Sequence, residues 1–228
     1  MDKRSIQSEM SSYIGKLLRD HFGKGPSSVF VSIEGKFLTI YLKDFLAPME
    51  RVLVGQKNDK KVEETRDLMM RELIPDIKAT FRASAGIHVE SLYYDWSLSR
   101  QTGVLIGVIT KDSPEDDERL KTYEHKDAVH EEVEKISRKA EKTPASIRSF
   151  LLNERTLLIE RNGILVPIEK EMINTGYEQP LKISKRRLEK RLLNHASFET
   201  ILGTSIEDVF VDWDFNKDRS YMVLILKP

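Results

Sequence analysis

The two tryptophans of this chain stand 117 residues apart, and each follows an aspartate: Asp95-Trp96 and Asp212-Trp213. The match has company. Met10, Ile14, Leu17 and His21 are followed 119 positions later by Val129, Val133, Ile136 and Ala140. Pro144 stands where Pro26 stood, and Gly203 echoes Gly86. Leu46-Ala47-Pro48-Met49-Glu50 aligns with Leu165-Val166-Pro167-Ile168-Glu169. An ordered series at nearly constant offset implies a tandem duplication, in which one folding unit of roughly a hundred residues is written twice.

The first copy reads in order along the chain. Met10, Ile14, Leu17, Leu18 and Phe22 recur at helical spacing and predict an amphipathic helix, stopped by Gly23 with Pro26 beyond it. Val29, Val31 and Ile33, then Leu38, Ile40 and Leu42, alternate on either side of Glu34-Gly35-Lys36 and predict a hairpin. Pro48 opens a short helix with Glu50 near its positive end. Val62, Met69, Leu73, Ile77 and Phe81 mark a longer helix, with a kink or break expected at Pro75. Strands follow over 87–96 and 104–109. In the second copy Ile147 and Leu151 with Leu157 and Ile159 give the hairpin, Leu188, Leu192 and Ala196 the long helix, and Met222, Leu224 and Leu226 the last strand. The expected fold class is α+β: a tandem duplication of an α-β-β-α-β-β unit, each with a mainly antiparallel four-stranded sheet covered by helices. The expected units are residues 1–111 and 126–228, with a charged, solvated linker over 112–125.

Composition narrows the function classes. Lysine plus arginine and aspartate plus glutamate both number 37. A balanced chain has no broad basic field to hold a polyanion, which argues against nucleic acid. Cysteine is absent, so disulfides, thiolate metal sites and thiol nucleophiles are excluded. The N-terminal stretch lacks the apolar core of a signal peptide. The apolar runs 37–42, 104–109 and 222–226 are far shorter than the ~20 residues that span a bilayer. A soluble cytoplasmic protein is expected.

Several residue sets are candidates for function. Gly23, Lys24, Gly25 and Pro26 suggest a phosphate loop, but they follow a helix and read first as its stop. Glu50 and Glu169 complement a helix N-terminus or offer a functional carboxylate. Asp95 with Trp96, and Asp212 with Trp213, could shape a pocket or simply pack on the sheet. His125 and His130 lie five apart, which is not the one-face spacing of a zinc pair, and no metal or cofactor is expected. No serine–histidine–aspartate set emerges from the spacing. Lys182, Lys185, Arg186, Arg187, Lys190 and Arg191 face only Glu189 as a counter-charge, which suggests a solvated helix face or a docking patch for an acidic partner.

One family shares this order of features. Gly-Lys-Gly-Pro after an amphipathic helix, a hairpin, Leu-x-Pro-x-Glu, a helical arginine at Arg66, then a glycine and a strand pair: together these resemble the MpsC-type family. That family is named for a sodium-translocating, membrane-potential-generating system in bacteria. The likeness covers 23–109 and returns in Pro144, Leu165, Pro167, Glu169 and Gly203. The second copy has Glu141-Lys142-Thr143 in place of the glycine loop, and its counterpart of Arg66 is either Arg186 or Arg187. If these positions bind a ligand, the second copy has lost part of the site. The resemblance implies association with membrane systems for cation or inorganic-carbon transport. The expected role is a non-enzymatic accessory or regulatory protein with a protein partner in such a system; a homo-oligomer is compatible with it. The alternative is a small-ligand sensor with a pocket between the two units.

Overall fold

The computed structural model describes residues 3–110 and 122–227. The charged run 112–118 lies outside the described residues. The chain divides into two compact units, Met1–Asp117 and Glu118–Pro228.

The first unit runs α1 (Lys3–Phe22), β1 (Ser28–Glu34), β2 (Phe37–Lys43), α2 (Pro48–Gly55), α3 (Asp59–Ala85), β3 (Val89–Ser97) and β4 (Thr102–Ile109). The second runs α4 (Lys126–Ala140), β5 (Ser146–Asn153), β6 (Thr156–Asn162), α5 (Pro167–Asn174), α6 (Glu178–Leu193), α7 (Phe198–Leu202), β7 (Ile206–Asp214) and β8 (Arg219–Leu226). Each unit folds one four-stranded sheet, in the orders β1-β2-β4-β3 and β5-β6-β8-β7. Every pairing is antiparallel. The duplicated α+β unit with its helices is thus present twice. Among the described residues no helix is long and apolar enough to cross a membrane.

The apolar periods locate the first core, but in the second the buried apolar residues of α6 are Leu181, Ile183 and Leu193, while Leu188, Leu192 and Ala196 of the expected stripe are only half-buried and Ala196 lies beyond the helix. In the first unit Met10, Ile14 and Leu18 of α1 and Met70, Leu73, Ile77 and Phe81 of α3 close over Leu38, Ile40, Leu42, Leu92, Tyr94 and Trp96 of the sheet. In the second, Val129, Val133, Ile136, Leu181, Leu193 and Phe198 close over Leu157, Ile159, Val209, Val211, Trp213, Met222 and Leu224. The long helix α3 and the short helix α7 each end on a left-handed glycine, Gly86 at φ 65° and Gly203 at φ 64°, a conformation that a side chain would strain.

Two expectations for α3 also need correction. The inward residue of α3 is Met70 rather than Met69, which is half-buried. And α3 runs unbroken through Pro75. Pro75 lies on the exposed side, as does Arg71, whose carbonyl is the one deprived of an N–H partner by the proline. The copy without the proline is the one that breaks, between α6 and α7.

Trp96 pairs across the sheet with Gly103. A Cβ on Gly103 would sit 2.3 Å from the indole Cε3, so the ring lies flat over a residue that must have no side chain. Gly103→Ala is therefore expected to overpack the first unit and destabilise it by about 1–3 kcal/mol. Thermal unfolding reads this, and an unchanged melting temperature would contradict the placement of Trp96.

Candidate functional site

Two residues shared by the copies, the glutamate of Leu-x-Pro-x-Glu and the tryptophan, meet around one cation in each unit. In the first, Pro48 starts α2 and Glu50 follows in its first turn. Glu50 Oε2 accepts the Ala47 backbone N–H at 2.8 Å, which satisfies a donor that the helix itself leaves open. The same carboxylate receives a bidentate fork from Arg66 of α3, Nε to Oε1 at 2.7 Å and Nη2 to Oε2 at 2.6 Å. Nη2 also donates to the Phe45 carbonyl at 2.9 Å. Arg66 is fully buried. Its guanidinium carbon lies 4.6 Å from the Phe45 ring centre, 4.7 Å from Trp96 and 5.8 Å from Phe22. A delocalised planar cation suits both demands, since it forks onto a carboxylate in its plane and attracts rings at its faces.

The glycine loop frames this cage from outside. Gly23 takes φ 73° and closes α1 through its N–H to the Arg19 carbonyl at 3.0 Å. A Cβ on Gly25 would meet the Gly15 carbonyl oxygen at 2.9 Å, so the loop presses on α1. Gly23, Lys24, Gly25 and Pro26 thus turn the chain just after Phe22, whose ring packs edge-on to Phe45 at 5.1 Å. Asp95 and Asp212 each bond the residue that follows: Oδ1 accepts the next backbone N–H, from Trp96 at 2.7 Å and from Trp213 at 2.9 Å. Asp212 is also paired with Lys182 at 2.8 Å.

In the second unit the counterpart of Arg66 is neither Arg186 nor Arg187. Lys185 holds that place and donates to Glu169 Oε1 at 2.7 Å. Glu169 Oε2 in turn accepts the Val166 N–H at 3.0 Å. Lys185 Nζ lies 5.6 Å from the Trp213 ring centre. Its second carboxyl partner is Glu141, at the position equivalent to Phe22. Behind it, β6 brings Arg161 to the place of Leu42 and α6 brings Glu189 to the place of Met70. Arg161 is fully buried and each of its three guanidinium nitrogens is bonded, Nε to Ser220 Oγ at 2.8 Å, Nη1 to Ser137 Oγ at 2.9 Å and Nη2 to Glu189 Oε2 at 2.5 Å.

The basic stretch of α6 is therefore not one solvated face. Lys185 and Arg186 are buried, Lys182 and Lys190 are half-buried, and only Arg187 and Arg191 are exposed. Lys190 lies over the Phe210 ring. Glu189, which looked like a lone counter-charge among surface cations, is fully buried. Spacing alone could have given this: residues 119 positions apart put charge at 161 and 189 where the first copy has Leu42 and Met70. Among the described residues no group of three or more histidine, aspartate or glutamate side chains is placed to hold a metal ion.

Comparison with known proteins bears on the same two stretches. A family model described as "Na+-translocating membrane potential-generating system (MpsC)" matches over residues 2–111 and again over 123–228. A curated relative, the uncharacterized protein YbcI of Bacillus subtilis (strain 168), is 32% identical over 102 residues, which is 44% of this chain and 81% of that protein. No solved structure matches.

The two cages make a stability prediction. Arg66→Met strands the Glu50 carboxylate and should cost about 3–5 kcal/mol, while adding Glu50→Gln should recover part of it. Lys185→Glu should unfold the second unit, whereas Arg187→Glu, two residues on and exposed, should leave its melting unchanged. Circular dichroism melts of the four variants decide this.

Proposed function

The chain belongs to the MpsC family through both of its units, and on that premise we propose that it is a non-catalytic accessory or regulatory protein of a bacterial membrane-potential or cation and inorganic-carbon transport system. In this reading it works from the cytoplasm on a protein partner in the membrane. The double family match carries the reading. The geometry agrees with it, because the ionisable residues of the shared motif are consumed in buried pairs, Glu50 with Arg66 and Glu169 with Lys185. A group already bonded inside a core is poorly placed to attack or protonate a substrate.

The test is genetic and electrical. Deleting the gene in its own bacterium should lower the membrane potential reported by a voltage-sensitive dye in sodium medium, and the wild-type chain should restore it. Cross-linking in intact cells should recover the chain with an integral membrane protein. An unchanged potential in the deletion strain would overturn the assignment.

A further inference from the structure

Among the described residues, the second unit gathers five ionisable side chains in one interior cluster. Arg161 comes from β6, Lys185 and Glu189 from α6, Glu141 from the C-terminal end of α4 and Glu169 from α5. Trp213 of β7 and Ser220 of β8 complete the surroundings. The set holds two cations and three carboxyls. Arg161 is taken by Glu189 at 2.5 Å and Lys185 by Glu169 at 2.7 Å, which leaves Glu141 as the carboxyl without a cation of its own. Among the described residues its one ionic contact is the Lys185 ammonium that already serves Glu169. Beyond that contact neither Glu141 oxygen has a hydrogen-bond donor, and Glu189 Oε1 is likewise buried without one. A third full negative charge in this interior is more costly than a proton taken up from water. A proton between the two carboxyls neutralises the excess and supplies the missing donor.

We propose that the interior of the second unit is a proton-binding site, in which Glu141 and Glu189 share one proton that is retained at neutral pH. The electrostatics agree. Burial, a hydrogen bond with Glu189 and the charge of Glu189 push the Glu141 carboxyl up to about 9, against the pull of Lys185 and Arg161. Burial also works against ionisation of Glu189, but Arg161, the hydrogen bond from Glu141 and Lys185 outweigh it and hold that carboxyl below the usual range. The first unit lacks the site, because Phe22, Met70 and Leu42 stand where Glu141, Glu189 and Arg161 stand. The two copies therefore share a fold and differ in response: one interior is loaded with a proton and the other is not. The inference is read from this unit's own residues and does not depend on the accessory role.

Linkage gives the direction. An unfolded glutamate titrates near 4.5, and folded Glu141 near 9. Between those values the folded state holds a proton that the unfolded state has lost, so this contribution is complete below about pH 4.5 and disappears as pH rises towards about 9. The test uses the full chain labelled with carbon-13 at the glutamate carboxyls and followed by NMR through that range. One carboxyl should titrate far above all others, and Glu141→Gln should abolish that titration and flatten the fall of melting temperature with pH. Glu189→Gln should move it downward, since it removes the neighbouring negative charge. The proposal is overturned if every wild-type glutamate titrates in the ordinary range, if the high titration survives in Glu141→Gln, or if Glu189→Gln leaves it unmoved. Should either variant fail to fold, the wild-type titration alone still decides whether a carboxyl holds its proton.

Discussion

A salt link between two helices, beneath a tryptophan, is the contact on which each unit depends. The glutamate of Leu-x-Pro-x-Glu caps its own short helix and grips the cation of the long one, Glu50 with Arg66 and Glu169 with Lys185. The cation then lies against Trp96 or Trp213, so short helix, long helix and sheet are tied at a single charge. A buried ion pair adds little net stability when its desolvation is counted, but removing one partner is severe. Its value here is registry. With the pair made, the short helix has one place to sit, and the proline that starts it has one direction to enter from.

The exchange of arginine for lysine at this point follows a consistent chemistry. A guanidinium can lie between rings while bonding a carboxylate in its plane, and the first unit surrounds Arg66 with Phe22, Phe45 and Trp96. An ammonium is a compact charge with donors pointing in three directions, which an aromatic cage cannot satisfy. The second unit puts Glu141 and Ile164 where the first has Phe22 and Phe45, and Lys185 gains a second carboxyl partner in exchange for two rings. The outer strand pair changes in the same direction. Phe30 stacks with Tyr41 in the first unit, and Arg148 bonds Glu160 at 2.6 Å in the second.

What could be read from the sequence was what periodicity and punctuation encode. The duplication, the described strands and the glycines Gly86 and Gly203 before each unit's last strand pair follow from apolar spacing and from positions where a side chain would be strained. The cage was half legible: Glu50, Arg66 and Trp96 stood out, but Phe22 read only as part of an apolar helical stripe and Phe45 carried no signal, because nothing in spacing says that a ring faces a cation. The stretch 182–191 misled because charge density on a helix usually marks solvent. Here Lys185, Arg186 and Glu189 point inward, as the 119-residue offset onto the first copy's long helix indicates, and Glu169 and Arg161 on other elements are the partners of Lys185 and Glu189. The helix through Pro75 escaped for a similar reason, since tolerance of a proline depends on which side of the helix meets water.

The first unit also shows what the buried network of the second is not for. Leu18, Leu42 and Met70 are fully buried and fill the positions of Ser137, Arg161 and Glu189, so this fold closes with apolar groups at those three positions. Replacing a buried ionic cluster by hydrophobic residues of similar volume is often neutral or stabilising, which makes stability a poor reason to keep the cluster. Nor could it arise by independent steps at no cost. Arg161 without Glu189, or Glu189 without Arg161, would leave an uncompensated charge in the core, and each serine completes a donor that would otherwise be stranded. The cluster is coherent only as a set, and as a set it contains one carboxyl more than its cations can balance. That surplus, rather than the ion pairs around it, is the property that the apolar copy cannot reproduce.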